Sequence, residues 1–178
     1  VLLVDGAPDR GWARQVARAL SGSVPLQEVW THVARACHPR FTAKLRNADG
    51  LFCYAVVRPH LLPDGFVAEL AAWAASRGWR TSLQGRKLYW VPDRLSKSAA
   101  VHEVAGRVGA DLVLAAGDSL LDVDLLLAAD LSIRPRHGEL DDRGWTAPTV
   151  TVTQSRGIAA GAEIVNWFGR AAAPAVRG

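Results

Sequence analysis

Residues 112–124 read LVLAAGDSLLDVD. The run is apolar up to Ala116, turns at Gly117-Asp118, and resumes as an amphipathic stretch from Leu120. This is the pattern of a buried strand feeding a helix through a tight loop, as in a parallel sheet. A strand of this kind delivers Asp118 just past its carboxyl end, and Asp122 falls in the first helical turn. Two carboxylates there can face one crevice and hold a hard cation, Mg²⁺ above all. The same residues also suit a purely structural role, with Asp118 or Ser119 capping the helix and Asp122 complementing its dipole.

Working outward, Ser96 is placed to cap a helix over Lys97–Val108 that Gly109 ends, and Asp111–Ala116 is the strand that follows. Downstream, a helix over Leu120–Ala128 precedes a strand at Leu131–Ile133 and a loop with Pro135, Gly138 and Gly144. A third strand at Val150–Val152 leads into a final helix reaching about Arg170. Strands alternating with helices at this spacing predict an α/β unit with a parallel sheet covered on both faces.

Upstream the pattern differs. Val1–Asp5 reads as a buried strand, and helices are expected from Gly11 to Leu20, from Leu26 to Cys37 and from Pro63 to Gly78. Two hairpins are expected, one around Asn47-Ala48-Asp49-Gly50 and one around Gln84-Gly85-Arg86. This half is a small α+β unit, with the boundary placed between residues 92 and 93.

The chain has 178 residues, 49% of them hydrophobic, and lacks methionine. It opens directly on an apolar run, so it reads as a piece of a longer protein. No apolar stretch approaches the roughly 18 residues of a membrane span, and a cytoplasmic protein is expected. Cys37 and Cys53 fit no metal spacing and are expected to be buried thiols. The seven Trp are expected mainly in the core. Residues 1–92 carry a surplus of +6 and residues 93–178 a net −2, which suggests a basic half facing an anion and an acidic half able to hold a cation.

Lys97 is one of only three Lys against eighteen Arg. A cation in the first helical turn opposes the macrodipole by a few tenths of a kcal/mol, so a phosphate or carboxylate is expected nearby unless the side chain merely decorates the surface. Arg134, Arg136 and His137, after the next strand, are candidates for the same crevice or for a solvated loop.

Lys97 followed 21 residues later by GDSLLD, with a strand between, resembles the third and fourth motifs of the haloacid dehalogenase superfamily. The nearest pattern is its Cof-type, sucrose-phosphatase-like branch. The preceding QGRKLYWVPDRLSKSAAV resembles the exit from that branch's C2 cap. The resemblance implies a cap at 1–92 and part of a Rossmann-like core at 93–178. It implies a Mg²⁺-dependent phosphatase of a small phosphorylated metabolite such as a sugar phosphate. Asp118 would be a metal ligand, Asp122 would bind the metal through water or orient Lys97, Lys97 would be catalytic, and Gly117 and Ser119 would support them, the glycine by leaving room for the metal shell. In the cap, Lys44, Arg86 and Lys87 would contact substrate, as would Arg134 and His137 from the core. The family's DxDx[TV] motif occurs nowhere in the sequence. Asp5 has no partner two residues on, so the nucleophile segment is expected to be missing. The rival expectation is a non-catalytic module whose basic half grips RNA or another polyanion, with Phe52 and Tyr54 stacking bases; nucleic acid is the less favoured partner.

Overall fold

In the computed structural model, residues 2–173 are described. The chain separates into two compact units, one running to Leu95 and the other starting at Ser96.

The first unit begins with two short exposed strands, β1 (Leu3–Val4) and β2 (Ala7–Pro8), paired antiparallel. The expected buried strand at Val1–Asp5 is therefore corrected, and Val1 lies outside the described residues. Asp5 and Gly6 adopt φ of 51° and 78°, which reverses the chain before a longer strand can form. Helix α1 (Arg10–Leu20) starts where Asp9 caps the Trp12 amide at 2.6 Å, and α2 (Leu26–Ala36) follows Pro25.

Strands β3 (Thr42–Ala48) and β4 (Phe52–Val57) form the first expected hairpin. Its turn uses positive φ at Asp49 (52°) and Gly50 (71°), the pairing that matches the natural twist of two strands. Helix α3 (Phe66–Ala75) then leads to β5 (Trp79–Gln84) and β6 (Lys87–Pro92). The antiparallel sheet has the order β3-β4-β6-β5.

Alternation along β4 sends Cys53, Ala55 and Val57 to one face, where with Leu88 and Trp90 they meet Val29 and Val33 of α2 and Leu70 and Ala74 of α3. Cys53 is fully buried, and burial, with Cys37 nearby, pushes its thiol up to about 12. Cys37 is only half-buried, short of the burial expected. Trp12, Trp79 and Trp90 are core residues. Trp73 instead stacks flat on His32 at 3.6 Å with the Arg77 guanidinium 4.3 Å from its ring.

The second unit holds α4 (Lys97–Val108), β7 (Leu114–Ala116), α5 (Val123–Ala128), β8 (Leu131–Arg134), α6 (Glu139–Asp142), β9 (Val150–Val152) and α7 (Gly157–Ala172). Strands β7, β8 and β9 are parallel and adjacent in that order, as sequential strands joined by helices require. Ala115, Leu126, Leu140 and Val150 form the core. The expected helix at Leu120 begins as a 3₁₀ turn over Leu120–Asp122, and α6 is a short helix inside the expected loop.

Candidate active site

The site lies in the second unit, in the loop that leaves the carboxyl end of β7. Ser96 caps α4 by accepting from the Ala99 amide at 3.2 Å, which sets Lys97 at the first helical position. Its ammonium bonds to Asp122 Oδ1. Thus the unfavourable cation at a helix start is answered by a carboxylate, not left to solvent.

Asp122 is the most heavily engaged side chain of the loop. While Oδ1 takes Lys97, Oδ2 accepts from Ser119 Oγ at 2.7 Å, the Ser119 amide at 3.1 Å and the Asp118 amide at 3.2 Å. The side chain is 7% exposed. Burial by itself pushes its carboxyl up, but the bond and charge of Lys97 and the Ser119 donors outweigh this and hold it below the usual carboxylate value. Ser119 and Asp122 form a reciprocal capping box, so the capping role and the Lys97 contact are carried by one residue.

Asp118 contrasts with it. It is exposed, and its carboxylate has no hydrogen-bond or ion-pair partner among the described residues. The two acids are not equivalent. Asp118 is open for a ligand, whereas both oxygens of Asp122 are occupied by protein donors.

Gly117 makes room for this arrangement. A Cβ there would sit 2.3 Å from Asp122 Cβ and 2.7 Å from its Cγ, so the glycine clears space for the Asp122 side chain itself.

A second brace escapes sequence reading altogether. Gly138, at φ 90° and ψ −175°, lies where a Cβ would come within 3.0 Å of Asp118 Cβ. The Leu140 amide donates to the Asp118 carbonyl at 3.0 Å, and Glu139 Oε2 accepts from the Leu120 amide at 3.0 Å. Residues 138–140 thereby fix the backbone on both sides of Ser119. The only sequence signal is a glycine in a loop, and its contact partners stand about 20 residues away.

Arg134 and His137 make their hydrogen bonds within the loops around them. Arg134 is 6% exposed, and its Nη1 donates to Asp141 Oδ1 at 3.0 Å and the Pro135 carbonyl at 3.0 Å. Asp141 also takes Arg156 at 3.1 Å, and the Arg134 bond leads the effects that hold its carboxyl below the usual value. His137 Nδ1 accepts from the Gly157 amide at 3.3 Å. These residues tie the loops after β8 and β9 together. Lys44, Arg86 and Lys87 are exposed residues of the first unit, on β3, in the β5–β6 turn and on β6.

Among the described residues, no three His, Cys, Asp or Glu side chains gather to hold an ion. Mg²⁺ commonly uses one or two carboxylates completed by water and phosphate oxygens. The unpartnered Asp118 fits one such direct position, and Asp122, already engaged by Lys97, Ser119 and the Asp118 amide, is the less open of the two.

No known family profile matches the chain, and no curated protein matches it. Solved structures do. The sucrose-phosphatase of Synechocystis sp. PCC6803, in complex with sucrose and phosphate, superposes with a TM-score of 0.64 at 14% identity, covering 90% of this chain and 67% of that one. A Thermoplasma acidophilum protein, 0175, gives a TM-score of 0.54 at 15% identity, over 82% of this chain and 60% of its own length. The chain thus spans about two thirds or less of these relatives. The likeness establishes the fold: the α/β architecture that the resemblance implied is the one observed.

Proposed function

We propose that this chain carries the lysine and metal-binding motifs of a Mg²⁺-dependent phosphomonoester hydrolase of the haloacid dehalogenase superfamily, acting on a small phosphorylated metabolite. The observation that carries the reading is the Lys97–Asp122 pair beside an exposed, unpartnered Asp118 at the carboxyl end of a parallel strand.

In this reading the attacking aspartate and its acid/base neighbour come from residues other than these, since DxDx[TV] is absent here. The first attacks phosphorus in line, and the second protonates the leaving alkoxide and later takes a proton from water. Lys97 offsets the negative charge between the nucleophile and the phosphoryl oxygens through its compact ammonium. Asp122 aims that ammonium, and the capping box and Gly117 hold Asp122. Asp118 would hold Mg²⁺ through a carboxylate oxygen, and the bound ion would supply neutralisation of phosphoryl charge.

The test is hydrolysis of p-nitrophenyl phosphate with Mg²⁺. The 178-residue chain alone is expected to give no appreciable turnover, and protein that also carries a DxDx[TV] segment encoded ahead of it is expected to be active. Robust hydrolysis by the chain alone, abolished by Asp5→Asn, would make Asp5 the nucleophile and overturn the assignment.

A further inference from the structure

The four-stranded sheet of the first unit has two chemically distinct faces. Side chains directly opposite one another on paired strands share a face, so the register defines rows across the sheet. On the face turned away from Cys53, Ala55 and Leu88, one row runs Arg46, Tyr54, Tyr89, Ser82, and the next runs Lys44, Val56, Lys87, Gln84. The Tyr54 and Tyr89 rings lie 5.3 Å apart, with Phe52 6.4 Å from Tyr89. The Lys87 ammonium stands 5.8 Å from the Tyr54 ring centroid.

None of these eight residues is acidic. Lys44, Arg46 and Lys87 are exposed, and no carboxylate among the described residues pairs with any of them. A sheet face that serves only solubility usually mixes charge signs, because like charges on neighbouring strands repel. Here three cations surround a pair of rings. Cations alone would suit any phosphate. Rings beside them select an anion that also presents a flat π surface, since nucleobases stack on aromatic side chains.

We propose that this face binds a nucleoside phosphate, with its planar base on Tyr54 and Tyr89 and its anionic oxygens toward Arg46, Lys44 and Lys87. That such a compound is the substrate rests on the phosphomonoesterase reading above; that the face binds it does not.

The experiment titrates the 178-residue chain with AMP and, separately, with ribose 5-phosphate, following amide shifts by NMR. AMP is expected to bind about tenfold or more tighter, the order of one stacked base. Tyr54→Ala and Tyr89→Ala should each remove most of that advantage while leaving ribose 5-phosphate affinity unchanged, and Tyr54→Phe should retain it with the fold intact. Arg46→Gln should weaken both ligands. Equal affinity for the two ligands, no saturable AMP binding, or AMP affinity unchanged in Tyr54→Ala would overturn the proposal. So would affinity that climbs with the length of an oligonucleotide, which would assign the face to a single strand. The two readings fail separately. Loss of AMP binding in Tyr54→Ala, in a protein whose Lys97→Ala form keeps full turnover, upholds this face and removes the phosphomonoesterase reading. Turnover that needs Lys97 but is indifferent to a base on the substrate does the reverse.

Discussion

One surface in each unit treats charge in the opposite way to the other. Around the β7 loop and its neighbours, cations are answered from within: Lys97 by Asp122, and Arg134 and Arg156 by the single Asp141. On the sheet face of the first unit, Lys44, Arg46 and Lys87 meet no carboxylate. The near-neutral unit therefore uses several of its acids to hold side chains in place and leaves others, Asp118 among them, open. The basic unit pairs Arg77 with Glu28 and Arg80 with Asp93 but keeps the charge of this sheet face available to something outside itself. Net charge alone does not reveal this, because a paired cation and an unpaired one count the same.

The contrast can be broken most severely at Gly117. Gly117→Ala forces a methyl against the Asp122 side chain, and overpacking of this kind costs about 1–3 kcal/mol. Faster amide exchange in α5 with the first unit unchanged is the expected outcome; unchanged exchange would show that Asp122 moves aside freely. Asp122→Asn comes next, because it weakens the acceptor of three donors and removes the partner of Lys97, a loss of about 1–3 kcal/mol.

The pH dependence should change with that substitution. A carboxyl held below its unfolded value contributes stability that is fully present above roughly pH 4 and is lost as pH falls through the lower folded value. Asp122→Asn should flatten the acid limb of second-unit stability. An acid limb equal to that of the wild type would place the linkage elsewhere. Lys97→Ala should cost about 1 kcal/mol or less, the scale of a partly exposed ion pair.

The smallest effect is at His32 in the basic unit. Burial, then Arg77 and Arg35, lower its pKa, so it contributes stability above its unfolded value near 6.5 that is lost as pH falls through the lower folded value. His32→Gln should remove that slope from a thermal-melt series between neutral and mildly acidic pH.

Where the signals were local, the sequence sufficed. Helix α4 runs over the expected Lys97–Val108 because Ser96 and Gly109 are a cap and a left-handed stop adjacent to it. Both hairpins of the sheet follow from their turn residues. The opening strand failed because apolarity announces burial only if a partner exists, and Asp5-Gly6 reverse the chain first. The acids of GDSLLD were legible as an unequal pair, but which donors reach which oxygen of Asp122 was not, since that depends on the folded loop. Arg134 looked available because its acceptor, Asp141, is one of three nearby acids, and only the α6 turn selects it. Residues 138–140 bracing the Asp118 backbone left no pattern to read.

The central claim is that Lys97 faces a phosphoryl group. Its most direct test is kcat for p-nitrophenyl phosphate in the nucleophile-bearing protein, wild type against Lys97→Ala and Lys97→Arg, with thermal melts alongside. The account predicts a fall in kcat of about 10²–10³ for Lys97→Ala, with poor rescue by arginine and a melting temperature only slightly lowered. Wild-type kcat in Lys97→Ala would contradict it.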